Sequence, residues 1–135
     1  MSDVLIQVKK GKNVKITSNF EAAAQQRFTV SRQIGLNPNF VVLDVLNGGE
    51  GRTYEFYNEN TVYRIYCDAY WPHKSQDGWK PSRVSSTTSH DGNVTTIKCE
   101  DYWSTDNDWN DLIVVVTLED DPNFKDENQP QGNPA

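Results

Sequence analysis

The sequence predicts an all-β protein, an antiparallel β-sandwich of about nine short strands. Runs of β-branched and aromatic residues recur along the chain, and apolar and polar residues alternate in several of them. Glycine, asparagine and proline separate these runs at intervals of roughly eight to twelve residues, as in sandwich proteins. The 4 Trp, 6 Tyr and 5 Phe side chains provide bulk for a single core in a chain of 135 residues.

In chain order, the predicted strands cover residues 4–8, 14–18, 27–34, 40–46, 52–57, 61–67, 82–87, 94–99 and 112–118. Residues 61–67 alternate strictly, which indicates one buried face. Residues 112–118 form a continuous apolar run, which predicts a central strand covered on both faces. A single helical turn is predicted at residues 21–26.

The domain prediction divides the chain into a β-sandwich at residues 1–118 and an acidic flexible tail at residues 119–135. The tail contains three prolines, many amides and a single phenylalanine. This composition offers too little apolar surface for a packed element. We therefore expect a mobile segment, or an arm that becomes ordered on a partner.

The charge of the chain is acidic, but the acidity is local. There are 13 Lys and Arg against 19 Asp and Glu, and five of the acids fall within residues 100–111. The largest basic group, Lys9, Lys10, Lys12 and Lys15, is too small to make phosphate-backbone binding the main role. We expect no nucleic-acid partner, and a cation is the more natural ligand.

The sequence also predicts how the chain relates to membranes. No apolar run approaches the roughly 20 residues of a membrane-spanning helix, and the first residues lack the pattern of a classical signal peptide. These features predict a soluble chain without membrane insertion, either cytoplasmic or released by a non-classical route.

Two cysteines, Cys67 and Cys99, are too few for a disulfide framework and lack the spacing of a structural zinc site. Each lies at the end of a predicted strand. Buried free thiols are the default interpretation. A bridge between neighbouring strands is the alternative.

The segment of residues 100–111 carries the most informative chemistry. Its carboxylate and amide side chains lie directly before the apolar run; they are Glu100, Asp101, Asp106, Asn107, Asp108, Asn110 and Asp111. Like charges repel by roughly 1 kcal/mol per pair at 4 Å even in water, so a cation should neutralise them. Hard oxygen donors without histidine or cysteine favour Ca²⁺. A solvated acidic loop without a ligand is the alternative.

An EF-hand is excluded as the type of calcium site. The alternation of Asp106, Asp108 and Asn110 resembles that loop, yet its sixth position would be Asp111 instead of glycine. The twelfth position would be Thr117 instead of glutamate. No helices flank the segment in the predicted fold.

The hexamer Asp-Asn-Asp-Trp-Asn-Asp at residues 106–111, with the apolar strand after it, resembles the C-terminal calcium loop of the LecB-type bacterial lectins. These lectins bind fucose and mannose through two adjacent calcium ions in a β-sandwich. A looser form of the pattern also resembles calcium-binding β-modules of large bacterial surface proteins. The resemblance covers about 20 of the 135 residues.

The lectin resemblance implies a set of calcium ligands: Glu100 or Asp101, Asp106, Asp108, Asn110 and Asp111. Asp108 and Asp111 would bridge the two ions, and Asp106, Asp108 and Asp111 would also contact the sugar. Vicinal sugar hydroxyls would complete both coordination shells. In this family an asparagine in an upstream loop also contributes an oxygen ligand to calcium. Asn37 or Asn39 would supply it here, although Asn37-Pro38-Asn39 is equally an ordinary turn.

Residues 68–81 and the acidic segment are rich in aromatic side chains. Exposed rings beside polar groups are good platforms for a sugar. Trp71, Trp79 and Trp103 are therefore candidate sugar contacts, and closing the end of a sandwich is their alternative role. Trp109 alternates with predicted ligands, so we expect it to point into the core.

An enzyme is not expected. Glu100 and Asp106 are a pair of carboxylates of the kind that glycoside hydrolysis uses, but so acidic a cluster binds metal before it keeps one carboxyl protonated as a general acid. No nucleophile has a recognisable base partner. The sequence thus predicts a calcium-dependent carbohydrate-binding lectin that gains avidity as a homo-oligomer, with fucose- or mannose-containing glycans as partners. A calcium-stabilised structural or adhesion module is the alternative.

Overall fold

The structure is a computed structural model that describes residues 2–72, 78–103 and 109–125. These residues form ten strands: β1 (Asp3–Val8), β2 (Lys12–Phe20), β3 (Gln25–Ile34), β4 (Val41–Asn47), β5 (Arg52–Tyr54), β6 (Thr61–Tyr70), β7 (Lys80–Pro81), β8 (Arg83–Thr88), β9 (Val94–Glu100) and β10 (Leu112–Asp120). The predicted all-β fold is confirmed.

The strands form two antiparallel sheets. Sheet A has the order β1-β6-β3-β4, with β7 paired to the end of β6, and sheet B has the order β5-β2-β10-β9-β8. Alternate residues of each strand point between the sheets, where they build one apolar core. The predicted β-sandwich is therefore correct.

Strand β10 lies at the centre of sheet B, between β2 and β9, as its apolar run predicts. Leu112, Val114 and Val116 are fully buried between the sheets. Ile113 and Val115 point the other way and are only half-buried. The expectation that both faces are covered is thus wrong for the outer face, because no described layer packs over it.

The predicted helical turn at residues 21–26 is also wrong. Gln25 and Gln26 already belong to β3, where they pair with Tyr70 and Ala69 of β6. The tertiary pairing of β3 overrides the local preference of this short segment. Strand β7 was not predicted, because two residues are too short to show a periodicity.

The first residues after residue 118 belong to the folded sandwich. Strand β10 continues through Asp120, two residues beyond the predicted start of the tail. The backbone N–H of Asp121 then donates to the Gly11 carbonyl at 3.1 Å, and the Phe124 ring packs edge-on against Phe56. Structured residues therefore continue past the predicted boundary at 118/119. Residues 126–135 are outside the described residues, so the flexible tail stays a prediction there.

The sandwich has two ends, which are defined by where its strands start and finish. We call the end where β9 finishes at Glu100 and β10 begins at Leu112 the acidic end. The tail end is the opposite one, where β10 finishes at Asp120. Within residues 2–72, 78–103 and 109–125, no helix has the length and apolarity that crossing a bilayer demands.

Candidate functional site

The acidic end collects the described part of the predicted calcium loop. Glu100 is the last residue of β9, Asp101 follows it, and Asn110 and Asp111 lead into β10. Because β9 and β10 are paired antiparallel neighbours, both ends of the loop lie at the same end of sheet B. The predicted ligands Asp106 and Asp108 lie outside the described residues.

Glu100 is buried completely, with 0% of its surface exposed. The β8–β9 register places Arg83 opposite it, and a guanidinium nitrogen lies 3.8 Å from the carboxylate. The backbone N–H of Trp109 also donates to Glu100. A buried carboxylate is costly unless it is paired, and the Arg83 guanidinium and the Trp109 N–H reduce this cost.

Asp101 and Asp111 are both 6% exposed and are held together. The backbone N–H of Asp101 donates to Oδ2 of Asp111 at 2.9 Å. Asp101 itself accepts hydrogen bonds from Trp103 N–H at 3.1 Å and from Gln26 Nε2 at 3.3 Å. These donors fix the two carboxylates at the base of the loop.

Trp109 and Asn110 show how the loop returns to β10. Trp109 adopts a left-handed conformation with φ of 55°, which few non-glycine residues do. Its ring is half-buried, with the Arg83 guanidinium 5.6 Å from the ring centre, so the prediction of a core position is wrong. Asn110 Nδ2 donates a hydrogen bond to the Glu21 carboxylate at 2.9 Å, so the amide oxygen of Asn110 points away from Glu21.

These residues fit a hard cation. The side-chain oxygen Oδ1 of Asn110 is buried and accepts no hydrogen bond from the described residues. An oxygen in this state, beside buried carboxylates, has the chemistry of a calcium ligand. Among the described residues, no three acidic, histidine or cysteine side chains converge on one point. A complete coordination shell would therefore draw on Asp106 and Asp108.

Two further polar residues at this end were not predicted. Glu21 and Gln26 belong to the β2–β3 connection and the start of β3, and they contact Asn110 and Asp101. The backbone N–H of Glu21 also donates to the Asp111 carbonyl at 3.2 Å. They lie about eighty residues from the loop in sequence, and neither carries a motif, so no local signal identifies them.

A cleft opens beside these contacts. It has a volume of about 350 Å³ and is lined by Phe20, Ala22, Ala23, Ala24, Gln25, Gln26, Asn47 and Gly48. Small alanine side chains and the half-exposed Phe20 ring make its wall largely apolar. Gln26 connects the cleft to the acidic residues, because its side chain reaches Asp101. The oxygen Oε1 of Gln26 is buried there without a hydrogen-bond partner among the described residues.

The candidate tryptophans lie at the same end but differ in their surroundings. The Arg27 guanidinium stacks 3.8 Å above the Trp79 ring and is itself paired with Asp68 through two hydrogen bonds of 2.8 Å. The hydrogen bonds with Asp68 raise the pKa of Arg27. One face of Trp79 is thus covered and closed to a sugar.

Trp71 and Trp103 meet edge to face, with ring centres 6.0 Å apart. Tyr102 packs against Trp103 in the same manner and is 57% exposed, with the Lys80 ammonium 5.3 Å from its ring centre. These rings form an aromatic patch beside Asp101, the residue that precedes Tyr102. The sequence did not single out Tyr102, although it is the most exposed member of the patch.

Asn37 is not part of this arrangement. It lies three residues after the end of β3 at Ile34, at the tail end, and its Oδ1 accepts a hydrogen bond from the backbone N–H of Asn39 at 3.0 Å in a local turn. Gln26 lies at the other end of the ten-residue strand β3, about 30 Å away at roughly 3.3 Å per residue. Within one chain, the structure does not bring Asn37, or its neighbour Asn39, to the acidic loop.

No protein-family model matches the chain, and no curated protein matches it. Solved structures do match. The lectin CV2L of Chromobacterium violaceum, in complex with alpha-methyl-fucoside, is 18% identical, with a TM-score of 0.55 over 83% of this chain and 92% of that one. A high-affinity mannose-binding lectin of Ralstonia solanacearum is 21% identical, with a TM-score of 0.52 over the same shares of the two chains. The fold of this chain is therefore that of the LecB-type lectins, which its acidic loop resembles.

Proposed function

We propose that this protein binds carbohydrate through calcium ions held by residues 100–111. The observation that carries the proposal is the buried Oδ1 of Asn110, which has no hydrogen-bond partner among the described residues and lies at the end of the sandwich that holds the buried Glu100, Asp101 and Asp111. The fold supports it, because the similar structures are a lectin with a bound fucoside and a mannose-binding lectin.

The ion would serve two purposes. It would neutralise carboxylates whose mutual repulsion rises as water is excluded from them. It would also leave coordination positions open, because Ca²⁺ takes six to eight oxygens in flexible geometry. A pair of sugar hydroxyls replaces water at such positions without adding charge. The ligands would be Glu100 or Asp101, with Asp106, Asp108, Asn110 and Asp111.

The walls of the acidic end suit a sugar ring. The apolar cleft beside Gln26 offers surface to the carbon side of a pyranose, and the Trp71–Trp103–Tyr102 patch offers aromatic edges and faces. Fucose- or mannose-containing glycans are the proposed class. Since a single shallow site binds weakly, we also propose a homo-oligomer, which would gain avidity.

The second candidate is a calcium-stabilised structural or adhesion module. Its supporting observation is the position of the loop directly before β10, the central strand of sheet B. An ion there would rigidify the edge of the core without touching a ligand outside the protein. Sugar binding separates the two candidates.

The test combines melting curves with a glycan array, each in calcium chloride and in EDTA. We expect calcium to raise the melting temperature, and glycan signals to disappear in EDTA. The Asp108→Asn variant should lose both effects. Asp91→Asn, which changes an exposed aspartate at the tail end, is the matched control and should keep them.

Each outcome decides between the proposals. Glycan signals that survive EDTA would overturn the calcium mechanism. Stabilisation by calcium without any glycan signal would favour the structural module. Glycans recovered in cleaved form after incubation would show a hydrolase instead of a lectin.

A further inference from the structure

The two cysteines face one another across the core. Cys67 belongs to β6 in sheet A and Cys99 to β9 in sheet B, so they come from opposite layers of the sandwich. Both are 0% exposed, and both belong to the same cluster of buried apolar residues. The sequence pattern favoured neighbouring strands as the alternative to free thiols, but the structure places the two residues in different sheets.

Both cysteines are free thiols in the structure. A hydrogen bond with Cys99 and burial in the core both raise the pKa of the Cys67 thiol. A protonated and fully buried thiol is a poor nucleophile, so the pair is protected from reagents while the sandwich is closed. A reaction between the two sulfurs would therefore have to begin before the sheets pack.

We propose that Cys67 and Cys99 form a disulfide that joins the two sheets when the chain folds in oxidising surroundings. The oxidant would be a small-molecule disulfide. One cysteine thiolate attacks it, forms a mixed disulfide and releases one small thiol. The second cysteine attacks the protein-bound sulfur and releases the other small thiol. Both protein thiols are oxidised to one disulfide, and the oxidant is reduced to two thiols.

The position of this bond has a structural consequence. Cys99 directly precedes Glu100, and Cys67 directly precedes Asp68, the partner of Arg27. The bond would therefore tie the acidic end together across the core. It would also restrict the unfolded chain by closing a long loop, which is the main way in which disulfides stabilise proteins. We expect an increase of about 10 °C in the melting temperature.

The test starts from the full chain unfolded and reduced in denaturant, then refolded with a mixture of oxidised and reduced glutathione. The expected product is a monomeric species about 2 Da lighter than the reduced protein, with no thiol that titrates in denaturant. Its melting temperature should fall to the reduced value when a reductant is added. Two titratable thiols, stable glutathione adducts or a lower melting temperature after oxidation would each overturn the proposal.

The variant Cys67→Ala/Cys99→Ala is the control. Its melting temperature should be the same in both redox buffers, whatever its absolute stability. A shift as large as that of the unmodified chain would show that the buffer acts elsewhere and would also overturn the proposal. The inference does not depend on whether residues 100–111 bind calcium.

Discussion

The two ends of strand β10 treat acidic side chains differently. At the tail end, Asp120 pairs with Lys12 at 2.8 Å, and Asp121 accepts a hydrogen bond from Asn13 Nδ2 at 2.8 Å. Asp120 is exposed and Asp121 is half-buried, so water also reaches both acids. At the acidic end, Asp111 and its neighbours Glu100 and Asp101 are buried.

The difference shows where function is expected. Exposed carboxylates that find a lysine, an asparagine and water need no ligand, and an apolar contact of Phe124 completes that end. Burying a carboxylate removes its hydration, so the protein retains the three buried acids only at an energetic cost. A cost of this kind is typical of a binding site.

Glu100→Gln should produce the largest effect, because it removes one buried charge and keeps a side-chain oxygen for the Trp109 N–H. In excess calcium, at about 100 times the dissociation constant, an ion stabilises a protein by about 2.7 kcal/mol, equivalent to about 10 °C here. We expect the variant to lose most of this shift. In EDTA it should melt at or above the temperature of the unmodified chain, since an uncharged amide costs less to bury than a carboxylate.

Melting curves of both proteins in calcium and in EDTA check this change of sign. An equal decrease of the melting temperature under both conditions would show that Glu100 serves its contacts within the protein and binds no ion. That ion pair is half-exposed on the arginine side and 3.8 Å long, so its loss alone should be small.

Phe124→Ala tests the other end and should have an intermediate effect. The Phe124 ring packs on Phe56 and also lies over Gly11. Gly11 has a positive φ of 87°, and a Cβ at this position would lie only 2.3 Å from the Phe124 ring. Since Phe124 is half-buried, we expect a loss of about 1–2 kcal/mol, less than for a core phenylalanine. The calcium shift should be unchanged. Chemical denaturation with and without calcium measures both quantities, and a reduced calcium shift would contradict the independence of the two ends.

The fold was predictable because the strands are long enough to show a period. Nine of the ten strands have their counterpart within three residues of the predicted range, and β10 was identified as central from its apolar run. A predicted strand at residues 52–57 is shorter in the structure, where only Arg52–Tyr54 pair with β2. Strand β7 and the start of β3 depend on tertiary pairing with β6, which no local pattern reveals.

The sequence could indicate the candidate site only where its residues are contiguous in the chain. The composition of residues 100–111 indicates a binding site in the sequence itself. Glu21 and Gln26 contact Asn110 and Asp101 only because β2 finishes, and β3 starts, at the acidic end of the sandwich. Asn37 was assigned to the site because amide residues in turns look alike in sequence. The direction of β3 decides that it lies at the tail end, and direction is a property of the sheet.

Asp91→Asn should have the smallest effect. Asp91 lies in the β8–β9 turn at the tail end, fully exposed, and accepts hydrogen bonds from Ser89 Oγ at 2.6 Å and from Asn93 N–H at 2.9 Å. The Ser89 hydroxyl and the Asn93 backbone lower the pKa of Asp91 below 3.8. A lowered folded-state pKa means that its stabilisation is complete above 3.8 and disappears as the pH falls through the folded value.

The variant and the unmodified chain should therefore differ slightly in stability at pH 7, and the difference should vanish in strong acid. Melting curves between pH 2 and pH 7 check this. A calcium shift equal to that of the unmodified chain would confirm that an aspartate satisfied by local donors at the tail end takes no part in ion binding. A difference that grows towards low pH would mean that the carboxylate is stabilised in its protonated form, against the geometry of its turn. The stability change of Asp91→Asn is thus the smallest expected effect, and the effects of substitutions at the buried acids of the acidic end are compared with it.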